Sequence, residues 1–184
     1  KPDNPITIFQ GCRKVEEQRL KMWHNAGGGG REVARQRSDL VDILFRELFQ
    51  GVVTSVAPKG LGGRLCVAAF GGYGRRELTP FSDIDILFLQ DSAKKQDKEI
   101  EEIIRQTLVL LWDIGFKVGH ATRSISQAVK KANEDMITKT SMLESRFLSG
   151  EREIFSRFKE RFQDECVVGC EDEYISWRLA NQAE

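Results

Sequence analysis

Asp83 and Asp85 are the residues of this 184-residue chain whose type and spacing most directly imply chemistry. They flank the start of an apolar run, Ile84-Asp85-Ile86-Leu87-Phe88-Leu89. In an extended strand, residues two apart project to the same face, roughly 6–7 Å from one another, so both carboxylates converge on one small volume. Two like charges there demand a cation, and an Asp embedded in an apolar run is expensive to bury without one. Oxygen ligands with no His or Cys suit magnesium (Mg2+) or manganese (Mn2+), and magnesium is normally completed by water and substrate phosphates. The pair therefore predicts a divalent-metal site and a phosphorylated substrate.

The segment upstream fits the same substrate. Gly71-Gly72-Tyr73-Gly74 follows the apolar run Leu65-Cys66-Val67-Ala68-Ala69-Phe70. Glycines let backbone N–H groups approach phosphate oxygens at a helix start, where the dipole also favours negative charge. Arg75 and Arg76 are placed to neutralise a phosphate tail. These parts together would hold a nucleoside triphosphate while an incoming hydroxyl displaces pyrophosphate. An isolated Asp-x-Asp is ordinarily a turn or a solvated strand end, and an isolated glycine cluster is ordinarily a turn. What carries weight is the order: apolar strand, Gly-Gly, ten residues, then Asp-x-Asp opening a second apolar strand. A dinucleotide-binding motif fails, because Glu77 stands where the third glycine is needed.

The elements that must position these residues follow from periodicity. Leu65–Phe70 and Ile84–Leu89 read as buried strands, with a glycine turn and short helix between them. From Asp97 to Ile114 the apolar residues Ile100, Ile103, Ile104, Leu108, Leu111 and Ile114 follow the helical period, and Gly115 is a left-handed cap. Residues 116–124 read as a third strand and 126–133 as a short helix. Asp135 caps a further helix, with Leu143 and Phe147 facing the core and Gly150 as its stop. Ile154, Phe155, Phe158 and Phe162 mark a last amphipathic helix. Ahead of the first strand, Val41, Leu44, Phe45 and Leu48 predict a helix capped by Ser38 and ended by Gly51. Gly27–Gly30 reads as a mobile loop, since no Lys-Ser or Lys-Thr follows to make it a phosphate cradle. The expected division is a helical lead at 1–58, a core at 59–150 and a helical extension at 151–184 toward further domains.

Composition excludes several classes. With 28 Lys+Arg against 28 Asp+Glu the net charge is zero, so no long-range field attracts nucleic acid or an anionic membrane. No apolar stretch approaches the roughly 20 residues of a spanning helix, and the start Lys1-Pro2-Asp3-Asn4-Pro5 has no apolar signal core, so a cytoplasmic protein is expected. Four cysteines are too few for a disulfide scaffold and lack zinc spacing, and they read as structural or free thiols.

Taken as a set, these motifs resemble the DNA polymerase beta nucleotidyltransferase superfamily. The narrower wording runs Gly71-Gly72-Tyr73-Gly74-Arg75-Arg76-Glu77-Leu78, Ser82-Asp83-Ile84-Asp85, Leu111-Trp112-Asp113, Val118-Gly119-His120 with Arg123, and Leu143-Glu144-Ser145-Arg146 with Leu148 and Gly150. It looks like the amino-terminal domain of the bacterial PII uridylyltransferase/uridylyl-removing enzymes. The resemblance implies an α/β (α+β) fold: a small mixed sheet with flanking helices, carrying the site at one edge. It also implies transfer of UMP from UTP to a tyrosine of the PII nitrogen-regulatory protein, with Asp83 and Asp85 as catalytic metal ligands and Gly71, Gly72, Arg75 and Ser82 at nucleotide-binding positions. The wider superfamily commonly adds a third carboxylate on a later strand, and residues 116–124 contain none. His120 is open to two readings, structural histidine or base. Asp113 is expected to close its helix and Glu144 to pair with Arg146 or another basic residue. Adenylyl transfer and a nucleotide-binding module without turnover stay open as alternatives. Glycosyl transfer from a nucleotide sugar also uses Asp-x-Asp, but the Gly-Gly turn ahead of the aspartates argues against it.

Overall fold

A computed structural model describes residues 5–91 and 97–181. Residues 1–4, which carry most of the polar start discussed above, lie outside them. The chain opens with two long helices, α1 (Pro5–Asn25) and α2 (Gly30–Val56). The glycine run between them forms a tight turn rather than a long loop: Gly27 takes φ 98°, and a side chain on Gly28 would collide with the Trp23 ring. Helix α2 is longer at both ends than its sequence suggests. Ser38 lies in its interior, fully buried, donating to the Ala34 carbonyl at 3.0 Å and accepting from the Leu78 amide at 3.3 Å. Gly51 does not stop the helix, because Leu48, Phe49, Val52 and Val53 continue the buried face across it. The loss of helix propensity at one glycine, about 1 kcal/mol, is smaller than what burying that face contributes.

The central unit then follows in order: β1 (Leu65–Ala69), α3 (Gly71–Gly74), β2 (Ile84–Gln90), α4 (Lys98–Ile114), β3 (Val118–Ser124), α5 (Ile125–Glu134), α6 (Met136–Leu143) and β4 (Arg146–Gly150). The sheet order is β3-β2-β1-β4, with β1 antiparallel to both neighbours and β2 parallel to β3. Helix α4 provides the crossover that a parallel pair needs. Its ends match their sequence signals: the Asp97 side chain accepts from the Glu99 and Ile100 amides, and Gly115 is left-handed at φ 95°. Helix α5 starts with a reciprocal Ser124–Gln127 capping box.

The segment after α6 departs from expectation. The helix capped by Asp135 ends at Leu143, and residues 146–150 pair with β1 as a fourth strand, with Phe147 opposite Ala68. A five-residue strand is too short to show a period of two, and its partner lies some 80 positions away, so local pattern favoured a continued helix. Helix α7 (Arg152–Phe162), one π-helical turn (Gln163–Val167) and α8 (Glu171–Ala180) complete the chain.

Alternation along the strands divides the interior into two layers. Leu65, Val67, Ala69, Ile84, Ile86 and Phe88 face α2 and α4. Cys66, Leu87 and Leu89 face α5 and α7, meeting Ala128, Val129, Ile154, Phe158 and Phe162. Asp85 belongs to the row of Leu87 and Leu89, at its open end. Among the described residues, no helix is long and apolar enough to cross a membrane.

Candidate active site

Asp85 stands in the first turn of pleat of β2, an inner strand, so the site lies at the end of the middle of the sheet and not at its edge as expected. Its carboxylate is clasped by two glycines. A Cβ on Gly71 of α3 would lie 3.5 Å from Asp85 Oδ2, and one on Gly119 of β3 would overlap Oδ1. Gly119 pairs directly with Asp85 in the β2–β3 register. A glycine inside a strand is a signal of close approach, and it was the one legible clue to this contact.

Asp83 is exposed and Asp85 half-buried, and neither makes a side-chain hydrogen bond or ion pair among the described residues. Burial, and then the neighbouring Asp83 charge, push the Asp85 carboxyl above its ordinary value. The two aspartates are therefore close enough to repel, and no basic side chain pairs with either among the described residues. That donor set, two hard carboxylates without a side-chain partner, fits a divalent ion whose other ligands come from water and substrate. No group of three or more His, Cys, Asp or Glu among the described residues is arranged to hold a metal by itself.

Helix α3 sits over this pair. Gly71 takes φ 58°, and the amides of Gly71, Gly72 and Tyr73 have no backbone acceptor among the described residues, since the first bonds of the turn run from Gly74 to Phe70 and from Arg75 to Gly71. Three N–H groups are thus left pointing out of the helix start. Arg75 closes the turn and forms ion pairs with Glu77, at 2.7 Å, and with Glu144 at the end of α6. Glu144 therefore pairs with a basic residue, as expected, and that residue is Arg75 rather than Arg146. Ser82 ends a Thr79–Ser82 turn just before the aspartates, its hydroxyl 2.7 Å from that of Thr79.

What holds α3 in place has no local signature. Tyr73 is fully buried and donates to Asp42 Oδ1 of α2 at 2.8 Å. Arg146 of β4 grips the same carboxylate with two bonds, at 2.6 and 3.0 Å, and reaches the Tyr73 and Gly74 carbonyls at 3.3 and 3.4 Å. Burial and the Asp42 charge push the Tyr73 phenol well above its ordinary range, so it is a fixed hydrogen-bond donor and not a reactive group. Gly74 is required for another reason: a side chain there would run into the Glu144 carbonyl.

His120 is not part of the site. It pairs with Ile86, on the opposite face from Asp85, and its ring meets Trp112 edge-on at 6.3 Å. On the site's own face, the next β3 position after Gly119 is Ala121, so that strand offers no third carboxylate. Asp113 lies in the last turn of α4, one residue before its end, its backbone carbonyl accepting from Gln10 at 2.7 Å.

Residues 59–145 match the model of the nucleotidyltransferase domain family. Over 180 residues, 96% of its length, the chain is 39% identical to the bifunctional uridylyltransferase/uridylyl-removing enzyme of Azospirillum brasilense. It is 38% identical to the enzymes of that name from Phenylobacterium zucineum, over 96% of its length, and Rhodospirillum rubrum, over 85%. The chain spans about a fifth of the length of these relatives, 17–19%. The glycine helix over an Asp-x-Asp strand lies inside the matched region, and the chain belongs to the nucleotidyltransferase family of enzymes, in the form found in bifunctional uridylyltransferase/uridylyl-removing proteins.

Proposed function

We propose that the chain transfers UMP from UTP to a tyrosine of a PII-type signalling protein in the cytoplasm, releasing pyrophosphate, with Mg2+ or Mn2+ held by Asp83 and Asp85. The observation that carries this reading is the carboxylate pair at the start of β2, without a basic side-chain partner among the described residues and with Gly71 of the glycine helix against Asp85. A bound divalent ion would offset the triphosphate charge and polarise the α-phosphorus. Asp83 and Asp85 would fix its place, with Asp85 held from both sides by Gly71 and Gly119. The open amides of α3 would receive phosphate oxygens, and Gly71 and Gly72 leave room for them. Arg75, steadied by Glu77 and Glu144, would present its guanidinium to the phosphate tail, and the Ser82 hydroxyl would orient it from the preceding turn. The acceptor oxygen would attack the α-phosphorus, the bond to the β-phosphate would break, and the phenolic proton would leave to solvent. A phenol with a pKa near 10 loses that proton far more readily than an aliphatic alcohol, which suits a site with no carboxylate base on β3.

Incubating the chain with magnesium, a PII protein and radiolabelled UTP or ATP tests the reading. Label from UTP on a PII tyrosine, with stoichiometric pyrophosphate, is expected; preferential AMP transfer would replace it with adenylyl transfer. In Asp83→Asn and Asp85→Asn, turnover is expected to fall at least about 10³-fold, a loss of roughly 4 kcal/mol of transition-state stabilisation. Near-normal turnover in either variant would remove the mechanism. Ala121, the next β3 position after Gly119 on the site's face, carries no carboxylate and favours one second reading, a nucleotide-binding module without turnover, which predicts tight UTP binding and no pyrophosphate.

A further inference from the structure

A second cluster of chemistry-bearing side chains lies away from the aspartates, at the outer edge of the sheet. A cavity of 510 Å³ there is lined by four arginines, Arg46 of α2, Arg76 just after α3, Arg146 of β4 and Arg152 at the first position of α7, together with Ser145 and Phe147. Neither Asp83 nor Asp85 lines it. We propose that this pocket binds the dianionic phosphate group of a small ligand.

The charge count supports a dianion. Arg146 and Arg46 share Asp42, at 2.6 and 3.3 Å, and Arg76 pairs with Asp39 at 3.1 Å. Arg152 has no carboxylate in ion-pair contact among the described residues; it lies over the Phe147 ring, 4.2 Å from its centroid. Four guanidiniums thus meet two carboxylates, an excess of two positive charges, which matches the −1.5 to −2 of a phosphate monoester near neutral pH. Guanidiniums arriving from four separate elements can surround a tetrahedral anion, and each offers paired N–H donors that a lysine lacks. Two further donors lack partners. The Ser145 hydroxyl is buried with no hydrogen bond among the described residues, an expensive arrangement unless something accepts from it. Helix α7 begins at this pocket with no side chain capping its amino terminus, so its dipole adds to the attraction for an anion. The volume falls in the usual range for small-molecule pockets.

The proposal does not depend on the transferase reading, and its test keeps the two apart. Inorganic phosphate, pyrophosphate and UMP are titrated into the 184-residue chain by calorimetry at low ionic strength, with chelator present to exclude divalent metal. One saturable site is expected. Arg152→Gln, which breaks no ion pair, should weaken it about 10-fold or more, and Ser145→Ala should weaken it to a lesser degree, both with an unchanged circular dichroism spectrum. Asp83→Asn and Asp85→Asn should bind as the parent does. Equal affinity for phosphate and UMP identifies a free phosphate as the ligand; tighter UMP binding identifies a nucleotide. Absence of saturable binding, indifference to Arg152→Gln, loss in the aspartate variants, or acetate binding as tightly as phosphate would each overturn the proposal.

Discussion

At the residue scale the decisive feature is how little room surrounds the Asp85 carboxylate. Because Gly119 would press a side chain onto Oδ1, Gly119→Ala is expected to move the carboxylate while sparing the fold, since the displaced atoms are the free end of a side chain. Turnover should fall about 10²-fold, the usual consequence of misplacing a catalytic group by an ångström, and the melting temperature should change little. Asp85 also carries a pH signature in metal-free protein. Its folded-state carboxyl titrates above the ordinary value of 3.8, through burial and the Asp83 charge, so the folded state binds this proton more tightly than the unfolded chain. Stability from this group is accordingly highest at low pH and falls as pH rises from the ordinary Asp range through the raised value. Asp85→Asn removes that cost: it should melt above the parent at pH 7, and the difference should close as pH drops below the ordinary Asp range. Thermal melts across pH check this. Magnesium should raise the melting temperature of the parent and not of the variant.

Among the elements, α3 is the one whose position matters most and whose own length can least secure it. Three of its four residues are glycine, so Tyr73 supplies its buried side chain, and that ring is anchored by Asp42, which Arg146 holds in turn. Asp42 is 3% exposed, so removing Arg146 strips a buried charge of its two-bond partner and leaves it Arg46, at 3.3 Å, and the Tyr73 hydroxyl. Arg146→Ala is expected to cost about 3–5 kcal/mol in urea unfolding. The Asp42→Ala/Arg146→Ala double variant should lose clearly less than the two single losses summed, because the stranded charge is gone. Of this device the sequence showed only its parts: a Tyr within a glycine turn, an Asp on a helix, and an Arg in a segment that reads as helix. Their partnership spans 104 positions between Asp42 and Arg146, and no local period encodes a contact at that distance.

For the whole molecule, one four-stranded sheet separates two apolar layers, and the Asp83–Asp85 pair sits where the α5–α7 layer opens. Deleting the ring of Phe158, fully buried in that layer, should cost about 3–5 kcal/mol by Phe158→Ala, with a lower urea midpoint and still a single transition, because both layers share the same strands. The sequence by itself determined the features that arise between near neighbours: a glycine turn between two buried strands, and α4 with its buried face and a left-handed glycine at its end. Each follows from backbone geometry and side-chain periodicity within a few residues. Only the tertiary structure decided that residues 146–150 are a strand, that the site ends an inner strand, that Gly119 touches Asp85, that His120 is turned away from it, and that Arg75 leans on Glu144. Those outcomes depend on which distant segments pair and in what register, and a shift of one residue in that register would send every side chain of the strand to the other face.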